Sequence, residues 1–530
     1  MILFDEVSWP SEKPNHLSFF TRDECDYSSS SSVVLQQLPS GDADIAELAS
    51  TYPLNIAVVS LKTMFANDLP ARNVLKSTSK NPKGKKLHQY LATAVVGLST
   101  LQCGMSMGWS SPMLPYLTSK ESFINITEDQ TSWISSLLEF GAVLGAIAAG
   151  KLADIIGRRR SILGFTVLFL VSWLLLIFTR KLWCIYLARL LAGVASGAIC
   201  VIAIIYIGEI AEVSIRGALG SMAGMPFTVG VLIAYIAGSV LSYTAFAIAG
   251  ALLAIIFIVM SPFLTESPVW LVQKNRLTEA GRPLRKLRGT KYDIDNEIAF
   301  LQAEATDRHS REGGITDLVR TKAGRKALAI SLGLTFFQQS SGIGVISFYT
   351  VTLFQIAGSS TNPFMATIII GAVAVVMELL TTLLIDKAGR RPLLILSGMG
   401  TALCLAILAW HFKAMNSGNE AITYGWVPLA SLIIATITFA IGFGNIPWIM
   451  NGELYPPETK AVAGSIAGVF NWGLQFVVVK SYPFASSKLG DSVVFWTFSI
   501  FIFIGGIFAI FIVPETKGKT LQEIQVELSK

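Results

Sequence analysis

Twelve apolar blocks, each roughly 20 residues long, dominate this sequence, and that is the length a helix needs to cross a hydrocarbon core. They lie near 87–108, 131–150, 161–179, 183–206, 218–239, 244–263, 327–350, 364–385, 392–411, 425–449, 461–482 and 492–513. Lipid offers no partner for backbone N–H and C=O groups, so a spanning chain must be helical or close into a barrel. A barrel needs short segments that alternate apolar and polar residues, and these blocks are continuous. Charge is scarce to match: 14 % of the 530 residues are Asp, Glu, Lys or Arg, against about 25 % in soluble proteins. The pattern specifies an all-α membrane protein with twelve transmembrane helices.

Basic residues set the expected orientation, because cytoplasmic loops retain Lys and Arg. Lys83, Lys85 and Lys86 precede the first block, and Lys151, Arg158, Arg159 and Arg160 separate the second from the third. Lys274, Arg276, Arg282, Arg285, Lys286 and Arg288 lie in the long connection after the sixth. Loops on the other side carry few bases: Lys120, Arg180 with Lys181, and Lys413. Both termini and the long connection are therefore expected in the cytoplasm. Asn125 opens an Asn-Ile-Thr glycosylation acceptor in a loop that this topology puts outside. Residues 1–86 read as a polar, disordered cytoplasmic tail; its start, MILFDEVSWP, has neither the basic end nor the apolar core of a signal peptide. The five cysteines show no paired spacing, which suggests neither a disulfide framework nor a metal site. The net charge of +6 follows from the cytoplasmic loops. It points to no nucleic-acid partner; the expected surroundings are the lipid bilayer.

The charged stretches between blocks recur. GKLADIIGRRR at 150–160 returns as IDKAGRR at 385–391, GEIAEVSIRG at 208–217 as GELYPPETKA at 452–461, and TESPVW at 265–270 as PETKGKT at 514–520. The offsets of about 232, 244 and 249 residues keep the same order, which argues for a duplicated six-helix half. The halves are 87–263 and 327–513, joined by a linker at 264–326 that carries short helices and followed by a cytoplasmic tail at 514–530. Two pseudo-symmetric halves place a path between them, and rocking gives alternating access. The charged ends are then candidate gate residues: Asp154, Arg158, Glu209, Arg216 and Glu266 from the first half, Asp386, Arg390, Glu453, Lys460 and Glu515 from the second. The spacing sets Glu209 with Arg216 and Glu453 with Lys460, and contacts across the halves would hold a cytoplasmic gate shut. The alternative is that the charges only set topology and anchor loops.

Mid-block amides mark where a neutral, hydroxyl-covered solute would bind. Gln338 and Gln339 lie about twelve residues into the seventh block, near mid-depth. Asn471 and Gln475 share a helical face in the eleventh, with Trp472 beside them. Trp448 follows Pro447 at the end of the tenth, where a broken helix would move an indole toward the path. Hydrogen bonding between helices is the other use open to these amides.

Nine stretches in order resemble the sugar porter family of the major facilitator superfamily: GKLADIIGRRR, ARLLAGVASG, YIGEIAEVSIRG, TESPVWL, QQSSGIG, IDKAGRRPL, GNIPWIMNGELYP, FNW and PETKGKTLQEI. The resemblance covers about residues 87–525 and is greatest to insect facilitated trehalose and glucose transporters. It implies the major facilitator fold and passive uptake of a sugar across the plasma membrane, with no enzymatic step, cofactor or metal. It maps sugar contacts onto Gln338, Gln339, Trp448, Asn471 and Trp472, and sets Arg189 near the substrate path. Several positions depart from the family's pattern. Gly224 stands for a Gln, Gly344 for an Asn, Ile204 for a Pro, Val269 and Lys460 for Arg, and GP-P-W reads Gly444-Asn445-Ile446-Pro447-Trp448. The two lost amides predict a roomier, less polar pocket that accepts a larger sugar such as a disaccharide or binds hexoses weakly.

Proton-driven members of the family carry an Asp where this chain has Ser106, which argues for facilitated diffusion. Glu139 in the second block and Glu378 in the eighth keep a proton-coupled symporter open, because a mid-span acid is expensive unless neutralised or used. For Glu139 the readings are a protonated acid bonded across a seam of Gly141, Gly145 and Ala149, a proton carrier, or a partner of Arg189. A non-transporting sugar sensor and a carrier of organic cations are further rivals. A membrane enzyme fits least: no phosphate-binding glycine loop and no grouped histidines occur.

Overall fold

The computed structural model describes residues 85–530 except 213, 290–291, 311–313 and 418–423. The tail reading for 1–86 thus falls almost wholly outside the described residues. Among those described, eleven helices are long and apolar enough to cross a membrane.

An N-terminal group comprises α1 (Leu87–Gly108), α2 (Ser110–Thr118), α3 (Glu128–Ile156), α4 (Arg158–Phe178), α5 (Leu182–Ile210), α6 (Arg216–Val240) and α7 (Tyr243–Met260). Short helices α8 (Pro268–Gln273), α9 (Leu277–Arg288), α10 (Ile294–Ser310) and α11 (Ile315–Arg320) form the linker. The C-terminal group comprises α12 (Lys322–Ser340), α13 (Ile343–Ile356), α14 (Pro363–Ala388), α15 (Arg390–Asn416), α16 (Val427–Phe439), α17 (Ile446–Glu453), α18 (Pro457–Leu489) and α19 (Asp491–Phe511), with α20 (Leu521–Ser529) last. The linker attaches at one end of the molecule, the linker face. The loop holding exposed Asn125 is at the opposite, far face.

Close helix contact is built from small residues. A Cβ added at Gly145 would lie 2.0 Å from the Val194 carbonyl oxygen, and one at Gly197 2.0 Å from that of Ala142. Only hydrogen on both helices lets the α3 and α5 backbones touch, which is how helices associate where lipid removes the hydrophobic drive. The linker packs beneath the N-terminal group: the Trp270 indole donates to the Asp154 carbonyl at 2.9 Å, and Arg288 donates to that of Ile210 at 2.8 Å.

Two blocks differ from their sequence expectation. The seventh is not one helix over 327–350; α12 starts at Lys322 and stops at Ser340, and α13 restarts after Gly342 at φ +75°. A left-handed residue cannot continue a right-handed helix, and glycine takes that conformation without a Cβ penalty. The tenth is broken by a π-helical turn at Ala440–Gly444 between α16 and α17.

Contacts between the two groups lie toward the far face. Lys480 of α18 binds Asp129 at 2.7 Å and Ser132 at 2.6 Å on α3. The hydroxyls of Ser135 and Tyr349 are 2.5 Å apart, and the Val351 N–H donates to Ser111 at 3.1 Å. Trp133 and Phe140 pack against Phe476. Tyr235 donates to the Ser347 carbonyl at 2.9 Å.

Candidate functional site

The charged stretches build two near-identical modules on the linker face. Gly157, at φ +98°, ends α3 and starts α4, and Gly389, at φ +92°, does the same between α14 and α15. The N–H groups of Arg158 and Arg159 both donate to Glu266, at 2.9 and 3.0 Å. Those of Arg390 and Arg391 donate to Glu515, both at 3.0 Å. A carboxylate here satisfies amides that a helix start leaves without partners and suits the positive end of the dipole. Burial pushes the Glu515 carboxyl up, but N–H donors from Lys517, Arg390, Arg391 and Thr516 outweigh it and hold it below the usual carboxylate range.

Each module closes on itself. The Arg158 guanidinium holds Glu209 through two nitrogens, at 2.9 and 3.0 Å, and Asp154 at 2.9 Å. Arg390 holds Glu453 at 2.8 Å, and Thr516 donates to the same carboxylate at 2.5 Å. These pairs lie within one group, and the expected pairing of Glu209 with Arg216 and of Glu453 with Lys460 is corrected. Glu209 ends α5 beside the start of α4, so Arg158 reaches it first, while Arg216 and Lys460 are exposed. The Asp386 side chain lies outside the described residues.

The amides gather around the breaks in the C-terminal group. Pro447 has no N–H, so the carbonyl four residues back, on Phe443, lacks its helical donor. Gln338 supplies one: its Nε2 reaches Phe443 at 2.6 Å and Gly444 at 3.0 Å, while its Oε1 accepts from Asn471 at 2.9 Å. Gln339 is buried beside it, and its side-chain Oε1 has no partner among the described residues. Trp472 is half-buried, and Trp448 is 46 % exposed. Gln338 and Asn471 thus spend amide groups on each other and on backbone, and Oε1 of Gln339 is the acceptor of the cluster left without a partner among the described residues.

The missing amides leave less apolar space than the sequence suggests. A Cβ at Gly344 would lie 3.2 Å from Gln475 Cγ and 3.4 Å from its Nε2, so Gln475 already covers that place. A Cβ at Gly224 would meet Glu378 Oε1 at 3.4 Å, and Oε2 of Glu378 accepts from Asn445 at 3.1 Å. The expectation of a less polar pocket is corrected accordingly. Sequence reasoning singled out Asn445 only as a departure from the family's pattern, and it missed Lys480 and Tyr349, although Lys480 is a lone base inside an apolar block.

Arg189 and Glu139 stand in the N-terminal group. Arg189 donates to the carbonyls of Ile134 at 3.1 Å and Ser106 at 2.7 Å and to the Ser110 hydroxyl at 2.7 Å, with its guanidinium 5.0 Å from the Trp109 ring centre. Backbone oxygens thus hold the base beside Ser106. Glu139 is fully buried on α3, and neither of its carboxyl oxygens has a hydrogen-bond partner among the described residues. Its expected bond across the glycine seam is not formed.

Comparison with known proteins gives a consistent picture. The sugar (and other) transporter family matches residues 55–528. A facilitated trehalose transporter of Polypedilum vanderplanki is 36 % identical over 442 residues, which cover 82 % of this chain and 87 % of that protein. That of Aedes aegypti is 35 % identical over 440 residues, and there the match spans only 54 % of the relative's length. Among solved structures, the Escherichia coli xylose transporter in an inward-open conformation aligns over 83 % of this chain and 99 % of its own, with TM-score 0.69 and 23 % identity. That likeness supports the fold. With most of its length matched to the family, this chain is an integral membrane protein belonging to the sugar transporter family.

Proposed function

We propose that this protein carries a neutral sugar, trehalose or glucose, down its gradient across the plasma membrane by alternating access. The observation that carries the reading is the amide cluster of Gln338, Gln339 and Asn471 at the helix breaks, with one buried acceptor still unfilled. Twelve spans follow if α12 and α13 cross together, in two six-helix halves at 87–263 and 327–513. The linker face is cytoplasmic in this reading, with both termini, and Asn125 is an outside glycosylation site. The contacts between groups at the far face then hold the outer side closed, while each charged module keeps the helix ends of its own half rigid. Those modules act as braces within a moving body.

The test is counterflow of labelled trehalose and glucose in proteoliposomes, at matched pH and with an imposed proton gradient. Equilibration indifferent to the gradient is expected; accumulation above equilibrium would replace the facilitator with a symporter. One observation favours that second reading: Glu139, buried with no hydrogen-bond partner among the described residues, costs least when protonated and so is suited to carry a proton. No labelled sugar moving in either direction would leave the sensor.

A further inference from the structure

Glu378 is an acid well inside an apolar helix, and none of the ion pairs among the described residues includes it. A charged side chain survives at such depth when it faces water, protein donors or a ligand. It is half-buried, and among the described residues Asn445 donates to it, on Oε2. Its other oxygen points across the boundary between the groups, to the open side of Gly224.

Three helices bring these residues to one level. At ~1.5 Å per residue, Glu378 stands ~15 Å from the α14 end at Ala388, Gly224 ~12 Å from the α6 start at Arg216, and Asn445 ~12 Å from the α17 end at Glu453. Asn445 also follows Gly444, whose carbonyl accepts from Gln338, which in turn accepts from Asn471. A continuous polar rim therefore runs over α18, α12, α17 and α14 and ends at Glu378. Two departures from the family's pattern meet there. A Pro at 445 would have no donor for the carboxylate, and a Gln at 224 would extend into the space beside it.

We propose that Glu378 is a substrate contact that sets specificity, its carboxylate held by Asn445, given room by Gly224, and accepting hydrogen bonds from sugar hydroxyls. A carboxylate offers about four acceptor sites, of which Asn445 takes one, and bonds to an ionised acceptor exceed those to an amide. The amides of the rim both donate and accept; Glu378 only accepts. The sugar must therefore present O–H groups at that end, and an analogue lacking one of them is rejected. This rests on the sugar-transport reading above.

The test is counterflow of labelled trehalose in proteoliposomes with Glu378→Gln, Asn445→Ala and Gly224→Gln variants, competed by a series of singly deoxygenated trehaloses. In Glu378→Gln the KM rises about tenfold at an unchanged maximal rate, the loss expected for a charge-assisted bond. One deoxy analogue that competes poorly with the wild type then competes as well as trehalose itself. Asn445→Ala gives a smaller rise in KM. An unchanged KM and analogue profile, or a lost maximal rate at unchanged KM, overturns the contact. Should Glu378→Gln fail to reconstitute, Gly224→Gln reads the same place from the other group: a raised KM supports the contact and an unchanged one overturns it. Wild-type protein that moves no sugar overturns the transport reading and this inference with it, whereas an unaltered variant beside active wild type overturns this inference alone.

Discussion

The N-terminal and C-terminal groups share their charged modules and differ in the middle. Gly157 and Gly389, Glu266 and Glu515, Arg158 with Glu209 and Arg390 with Glu453 make the same construction twice. Between them, α3 and α5 run unbroken with backbones in contact, while the C-terminal group is interrupted after Ser340 and again at Ala440–Gly444. Breaks expose backbone carbonyls, and side-chain amides collect where carbonyls need donors. The unbroken pair α3 and α5 has its seam closed by glycine; the group with breaks after Ser340 and at Ala440–Gly444 holds the polar cluster. On the transport reading proposed above, the first group moves as a block and the second grips.

The sharpest way to break this contrast is to crowd the seam. Gly197→Leu puts a Cβ 2.0 Å from the Ala142 carbonyl, which backbone cannot yield, and is expected to abolish monodisperse protein in size-exclusion chromatography. Gly468→Ala on α18, where nothing lies within 4 Å, should leave the elution profile and thermal midpoint unchanged. The modules come next. The Arg158 and Glu209 side chains are 6 % and 12 % exposed, so Arg158→Ala strands a buried carboxylate and should cost about 3–5 kcal/mol in thermal unfolding. Glu453 is 27 % exposed and keeps its bond from Thr516, so Arg390→Ala should cost less, about 1–3 kcal/mol. Equal losses would mean that the repeat is symmetric in energy as well as in geometry.

What the sequence made legible follows from how far apart the partners are. The all-helical membrane character and the positions of Arg158, Arg390 and their acids were readable because hydropathy and recurrence are local properties. Which acid each base meets was not, because packing within a group decides it and spacing favoured Arg216 and Lys460. The break at Gly342 hid inside an apolar average, although Ser340-Ser341-Gly342 supplies turn-forming residues. The partnership of Glu378 with Asn445 joins residues 67 apart on different helices, and no periodicity reports that. The amides were legible as polar atoms in lipid, whereas the role of Pro447 in freeing the carbonyl that Gln338 binds needed the geometry.

A smaller effect sharpens the gripping half. Gln338→Ala removes the donor to Phe443 and the acceptor for Asn471. The expected outcome is a KM for sugar counterflow raised about tenfold, ~1.4 kcal/mol, with protein that still elutes as a single species. Aggregated protein would place Gln338 among the residues that hold the helices together instead.

The smallest effect belongs to the contacts between groups, and its smallness is the point. Alternating access needs two states of similar free energy, so bonds that form in one and break in the other cannot rival those inside a module. Asp129 is 75 % exposed where it meets Lys480, and exposed ion pairs contribute about 0–1 kcal/mol. Asp129→Asn is expected to shift the external half-saturation for sugar by about twofold or less and to leave the thermal midpoint alone. Lys480→Ala, which also removes the Ser132 bond and the cation from the Trp133 ring 4.3 Å away, should shift it further in the same direction. A thermal loss from Asp129→Asn as large as that from Arg158→Ala would mean that the far-face contacts are a permanent clamp, and a clamp there is incompatible with rocking of the two groups.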